Sequence, residues 1–147
     1  MMSNYPRMHS AEHLLNQAMV RLFNCSRCFS AHINSKKSKC DYHFERPLTA
    51  QEIQRVQDEV NQAIQADYPA GFEIMSSQEA QKQFNIERVP GQAKLSQFRI
   101  VRMGDYDACP CIGDHVSSTG QIGAFKITTA GFEAGVVRIR FKLGCPG

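Results

Sequence analysis

Apolar residues in the first part of the chain recur every three or four positions. Ala11, Leu14, Leu15, Ala18, Met19, Leu22 and Phe23 fall on one face, which predicts a helix over about 8–23. His9 and His13, with Asn16 a turn further on, lie beside that face. The pattern then switches to alternation over 28–34 and 40–46, which predicts two strands. The polar run Asn34-Ser35-Lys36-Lys37-Ser38-Lys39 between them reads as a hairpin turn. Helical spacing returns at Ile53, Val56, Val60 and Ile64. Just before it, Thr49-Ala50-Gln51-Glu52 has the form of a capping box, with Thr49 as N-cap and Glu52 reaching back. Pro69-Ala70-Gly71 stops this second helix by about Tyr68.

The remaining pattern predicts a strand over 72–75 and a short helix over 77–84, capped by Ser76 or Ser77. An irregular stretch follows over 85–96, turning at Pro90-Gly91, and then a strand over 97–103. Gly104-Asp105-Tyr106-Asp107 turns into a segment over 109–115. Two closing strands are expected over about 123–129 and 136–143, joined around 131–135. No repeat or linker interrupts the 147 residues, so a single domain over 1–147 is expected. The mixture predicts an α+β fold of two layers, with helices packed on a largely antiparallel sheet.

Composition narrows the classes. No apolar run approaches the ~20 residues that span a bilayer, and the N-terminus lacks a secretion signal's charged start and apolar core. The expectation is a cytoplasmic protein with no membrane partner. Six cysteines in such a setting favour reduced thiols and metal ligation over a disulfide framework. The net charge of +3 permits contact with nucleic acid without requiring it. Two basic clusters stand out, Lys36-Lys37-Ser38-Lys39 and the alternating Arg138, Arg140 and Lys142. Each reads equally as a phosphate contact or as a solvated surface.

The chemistry concentrates in two short motifs. His9 and His13 stand four apart in His-Ser-Ala-Glu-His, and Cys111 and His115 stand four apart in Cys-Ile-Gly-Asp-His. Residues i and i+4 share a helix face, so His9 and His13 can point at one ion. A thiolate and a third imidazole would complete a tetrahedral set that favours zinc. A metalloprotease helix would need Glu directly after its first His. Ser10 occupies that position and argues against such chemistry. Cys109 supplies another sulfur near Cys111. A rival site would combine Cys25 and Cys28 with Cys40 and His43; the alternative is that these thiols simply pack in the core. Cys145 is read as incidental.

Several stretches, taken together, resemble one family. His9-Ser10-Ala11-Glu12-His13-Leu14-Leu15 is similar to the opening of the editing domain shared by alanyl- and threonyl-tRNA synthetases. Leu48-Thr49-Ala50-Gln51-Glu52-Ile53 with Val60-Asn61 resembles its long helix. Val101-Arg102-Met103-Gly104-Asp105-Tyr106 resembles the strand and turn before its cysteine motif. Cys111-Ile112-Gly113-Asp114-His115-Val116 resembles the motif itself, and Thr119-Gly120-Gln121-Ile122-Gly123-Ala124-Phe125-Lys126-Ile127 resembles the signature after it. Order and spacing match across nearly the whole chain, in the manner of the short, free-standing trans-editing proteins of the AlaX type.

The resemblance implies the two-layer editing fold and zinc held by His9, His13, Cys111 and His115. It implies hydrolysis of the ester on a mischarged tRNA, typically seryl-tRNA(Ala) and sometimes glycyl-tRNA(Ala). The alternatives are seryl-tRNA(Thr), another aminoacyl ester, or a noncatalytic metal-stabilised tRNA-binding module. In AlaX-like proteins a hydroxyl residue on the strand after the first helix is implicated in the reaction. By spacing Ser30 takes that place, against the plainer reading of a strand serine. The basic clusters become candidate tRNA phosphate contacts, and Gly120 and Gly123 either admit a terminal adenosine or only make a turn. Gln121 stands where the family commonly has an acid, and Asp114 where it commonly has Thr.

Overall fold

A computed structural model describes residues 5–87, 89 and 91–145. It is an α+β structure in which three helices pack on antiparallel sheets. The first helix, α1, runs over Tyr5–Phe23 and starts one turn earlier than the apolar spacing predicts. Pro6 suits a first turn, where its missing N–H has no partner to lose. At the other end Asn24 adopts φ 54°, the left-handed conformation that commonly closes a helix. Met8, Ala11, Leu14, Leu15, Ala18 and Met19 are buried along one stripe.

Two short strands follow, β1 (Ser30–His32) and β2 (Ser38–His43), each shorter than its alternation suggests. Ser38 closes the turn between them by accepting from Asn34 N and donating to Asn34 O. The second helix, α2 (Ala50–Gln65), begins as predicted. Thr49 Oγ1 accepts from Glu52 N and Glu52 accepts from Thr49 N, a reciprocal cap of about 1 kcal/mol. It ends three residues short of Tyr68, because Asp67 turns to φ 53° and Tyr68 N bonds Thr119 Oγ1.

Strand β3 (Ala70–Ser76) leads through the Ser76 cap into α3 (Ser77–Gln83). The stretch read as irregular contains a 3₁₀ turn over Gln92–Lys94; Pro90, the expected turn residue, lies outside the described residues. Then come β4 (Gln97–Met103) and β5 (Asp107–Pro110). The latter takes the last residue of the expected turn and the first two of the 109–115 segment. It shows no alternation, and Pro110 lacks a donor, which an edge strand tolerates. After a 3₁₀ turn over Thr119–Ile122, β6 (Phe125–Glu133) and β7 (Val136–Leu143) close the chain. The connection expected over 131–135 shrinks to Ala134-Gly135, both at positive φ, the two-residue hairpin turn that matches strand twist. Gly131 lies within β6, opposite Arg138.

The strands divide into two antiparallel sheets, ordered β1-β2-β7-β6 and β3-β4-β5. One core joins α1 and α2 to the first sheet and to Val101 and Met103 of the second. A smaller cluster packs Ala80, Ile86 and Val89 against Phe98 and Ile100 on the other face of β4. This arrangement lays α1 beside β5, and the two motifs meet there.

Candidate metal centre

Helix α1 presents His9 and His13 on its buried side, toward the strand β5 and the loop after it. That loop returns Cys111 and His115 to the helix. One ligand atom from each of His9, His13, Cys111 and His115 lies within 4.8 Å of the others. Cys111 Sγ is 3.3 Å from His9 Nε2. The His9 and His115 rings stack at 4.2 Å, and His13 stands edge-on to His115 at 4.4 Å.

Each imidazole is held through the same nitrogen. His9 Nδ1 faces the Asp114 carbonyl at 3.3 Å, and His115 Nδ1 lies 2.9 Å from Ser10 Oγ. His13 Nδ1 lies 3.5 Å from the Asp107 carboxylate and 3.3 Å from Cys109 Sγ. With the proton on Nδ1 in each ring, all three Nε2 atoms are left as acceptors. An outer partner fixing the far ring nitrogen is the usual support of a metal-binding histidine. His115 Nε2 is buried and without a hydrogen-bond partner, which would be costly unless something occupies its lone pair. Ser10, which argued against protease chemistry, also accepts from Val116 N and so ties α1 to the returning loop.

Electrostatics keeps the histidines neutral. Burial, together with the nearby His13, pushes His9 down to about 4. Burial with His13 and His9 pushes His115 down to about 2. Burial also lowers His13, despite the opposing Asp107. Burial raises the Cys111 thiol. Three neutral nitrogens and one sulfur are a donor set that fits a metal ion. Burial would raise Asp107 too. The hydrogen bond from His13 and the Arg27 guanidinium outweigh it and hold this carboxyl well below the usual range.

Asp107 was missed as a site residue. It sat in a predicted turn, and only the β4–β5 register, with Asp107 opposite Met103, brings it under His13. Arg27 grips it from the segment before β1, with Nη1 2.7 Å from Oδ1. Cys109 forms a second group with His13 and Asp107, on the Nδ1 side of His13, and its thiol is raised to about 12 by burial. Its sulfur also lies 3.9 Å from His13 Nε2, so it stands against the side of the ring rather than beside Cys111 and His9. Gly113 was noted only as part of the motif. A Cβ there would meet His9 Cε1 at 2.3 Å. Gly113→Ala is therefore expected to displace the His9 ring at a cost of about 1–3 kcal/mol. Metal affinity, measured by competition with a chelating dye, should fall at least ~10-fold while the circular dichroism stays native.

Other candidates settle differently. Ser30 opens β1 opposite Asp41 and, among the described residues, shares no hydrogen bond with the histidines or Cys111. Cys28 and Cys40 are buried in the core in contact with each other, while His43 is exposed and stacks on Phe29 at 4.0 Å. The rival cysteine site is thus not assembled among the described residues. Gly120 leaves room for Asp67, whose Oδ1 accepts from Gly120 N, and Gly123 packs on the Gly144 carbonyl at φ 86°. Both glycines are explained by this packing. Gln121 accepts from Ser117 N and Oγ. Of the basic residues, Arg138 pairs with Asp41 at 2.7 Å, whereas Lys39 and Arg140 stand opposite each other across β2 and β7. No described helix is long and apolar enough to cross a membrane.

Fold and site together define an α+β domain with a histidine–cysteine centre able to hold a metal ion. The family model described as the threonyl and alanyl tRNA synthetase second additional domain matches residues 98–140. The alanine–tRNA ligase of Coxiella burnetii is 36% identical over 141 residues, covering 94% of this chain and 16% of the ligase. That of Idiomarina loihiensis is 35% identical over 150 residues, covering 96% of this chain and 16% of the ligase. The chain is thus a relative of the second additional domain of alanyl- and threonyl-tRNA synthetases. It spans about 16% of the length of the curated relatives it matches.

Proposed function

We propose that residues 1–147 act as a single editing domain of the AlaX type, a cytoplasmic zinc-dependent aminoacyl-tRNA deacylase working in trans on mischarged tRNA. The observation that carries the reading is the common orientation of His9, His13 and His115. Each Nδ1 faces a polar partner, His9 Nε2 faces Cys111 Sγ at 3.3 Å, and His115 Nε2 is buried with no hydrogen-bond partner, so the free faces of the rings and the sulfur converge. The relationship to alanine–tRNA ligases supports an aminoacyl ester on tRNA as substrate, and seryl-tRNA(Ala) is the first choice, with glycyl-tRNA(Ala) second.

His9, His13, Cys111 and His115 would hold the zinc. Bound there, the ion would supply Lewis-acid polarisation of the ester carbonyl, an activated water, or an anchor for the substrate's amino group. The chain's own residues prepare for this. The Asp107 carboxylate and the Asp114 carbonyl, both acceptors, favour a proton on Nδ1 of His13 and His9, Ser10 holds the His115 ring at Nδ1, and α1 with the returning loop keeps the nitrogens close. In the net reaction water adds to the acyl carbon, the bond to the ribose oxygen breaks, and that oxygen leaves as a hydroxyl. Ser30 is assigned to the seryl hydroxyl, whose loss in an alanyl group would leave the partner unpaired. Lys39 and Arg140 are assigned to tRNA phosphates.

Deacylation of seryl-, glycyl- and alanyl-tRNA(Ala) and of seryl-tRNA(Thr) tests the reading, alongside metal analysis of the purified protein. Seryl-tRNA(Ala) should be hydrolysed fastest and alanyl-tRNA(Ala) spared. No hydrolysis of any of the four, or less than about half an equivalent of zinc, would overturn it. Ser30→Ala should narrow the preference for seryl over alanyl by ~10-fold or more without changing zinc content.

A further inference from the structure

Strand β3 is an edge strand with an uncovered face. Phe72 is 64% exposed and Ile74 is 57% exposed. Residues directly opposite one another across a sheet share a face, as do residues i and i+2 along a strand. Phe72 stands opposite Val101, and Val101 opposite Cys109. Ile74 stands opposite Arg99, whose carbonyl accepts from Cys111 N. Phe72 and Ile74 therefore lie on the same side of this sheet as Cys109 and Cys111, whose sulfurs touch His13 and His9.

Arg99 connects the shelf to the centre. Its guanidinium lies 5.3 Å from the centroid of the Phe72 ring. Nε also donates to the Cys111 carbonyl at 2.9 Å, and Nη2 donates to the Gly113 carbonyl. From Cys111 to β3 is two strand spacings, on the order of 10 Å, about the length of one nucleoside. A flat aromatic ring with a cation beside it and an aliphatic neighbour suits a nucleobase. The positive charge also suits the phosphate that would follow that base.

We infer that Phe72, Ile74 and Arg99 form the platform on which the terminal nucleoside of an acylated RNA lies while its ester reaches the histidine–cysteine centre. Phe72 stacks on the base, Ile74 extends the apolar floor, and Arg99 ties the platform to the loop of Cys111. This inference rests on the deacylase reading above and names a binding surface for it. It also accounts for two large apolar side chains left in water beside a buried polar site.

The test uses two probes with the wild-type chain. One is adenosine carrying a seryl amide on its 3′ nitrogen, an uncleavable replacement for the ester. The other is the same seryl amide on a ribose without a base. The adenosine form should bind about 10-fold tighter or more, within the range of one base stack. Phe72→Ala should bring that ratio below about 2, while Phe72→Tyr keeps it. Phe72 is exposed enough that circular dichroism and melting temperature should stay native in both variants. A wild-type ratio near 1, or a ratio unchanged in Phe72→Ala, overturns the platform. If the wild type nevertheless hydrolyses seryl-tRNA, only the platform falls. If it hydrolyses no aminoacyl-tRNA and binds neither probe, the deacylase reading falls with it. A dimer in sedimentation that Phe72→Ala dissolves, with the ratio unchanged, would assign the shelf to self-association instead.

Discussion

Cys111→Ser is expected to remove bound zinc and to lower kcat/KM on seryl-tRNA(Ala) on the order of 10³-fold, while the fold survives. Serine keeps the shape of the side chain but offers a hard, protonated oxygen in place of a soft sulfur. The three imidazoles remain anchored through Nδ1, so the centre loses its sulfur without losing its framework. A drop of several kcal/mol in transition-state stabilisation corresponds to that rate loss. Two readouts separate this from general damage. A chelator should lower the melting temperature of the wild type, because an ion held by these four residues would bind only the folded chain. The same chelator should leave Cys111→Ser unchanged. A variant that retains zinc and activity would remove Cys111 from the ligand set.

The largest stability effect should come from Asp107→Ala. The Asp107 side chain is fully buried, and it meets Arg27 through both oxygens, Gln17 through Oδ1 and His13 through Oδ2. Removing it strands the Arg27 guanidinium and frees the His13 ring. Breaking a buried pair costs about 3–5 kcal/mol. The lower end applies here, because the Arg27 side chain is 30% exposed and water relieves part of the penalty. For a chain of this size that is a fall in Tm of roughly 6–12 °C. The pH dependence has a definite sign. The folded carboxyl titrates below its unfolded value of about 3.9, so its contribution is complete above that value and fades as pH falls beneath it. The difference between wild type and Asp107→Ala should therefore be flat from neutral pH to about 5 and shrink below 4. A constant difference down to pH 2 would contradict the assignment.

These two residues also mark what could be read from the sequence and what could not. The four clustered residues were legible because His9 with His13, and Cys111 with His115, each carry a local spacing that survives folding. The α2 cap was legible for the same reason, since Thr49 and Glu52 interact within one turn. Asp107 and Arg99 were not, because their roles come from sheet register. A shift of one residue in β4 would turn Arg99 to the other face, and one in β5 would do the same to Asp107. The strand β5 was hidden too, since four residues ending in proline carry no periodic signal. The ends of α1 and α2 moved for tertiary reasons: Arg7 in the first turn of α1 donates to the Ile122 carbonyl, and the bond from Tyr68 to Thr119 shortens α2.

The distance in sequence between the two halves of the centre has a consequence for how the protein is made. On the ribosome, His9 emerges long before His115. At about 5–20 residues per second, the loop that completes the centre follows α1 by roughly 5–20 s. Through that interval Met8, Leu14, Leu15 and Met19 lack the later strands that cover them. The nascent helix therefore waits as a sticky amphipathic segment, a natural client for chaperones. His9 and His13 meet the cell's metal buffers as a pair on α1, and the four-residue set is complete only once the loop carrying Cys111 and His115 has followed.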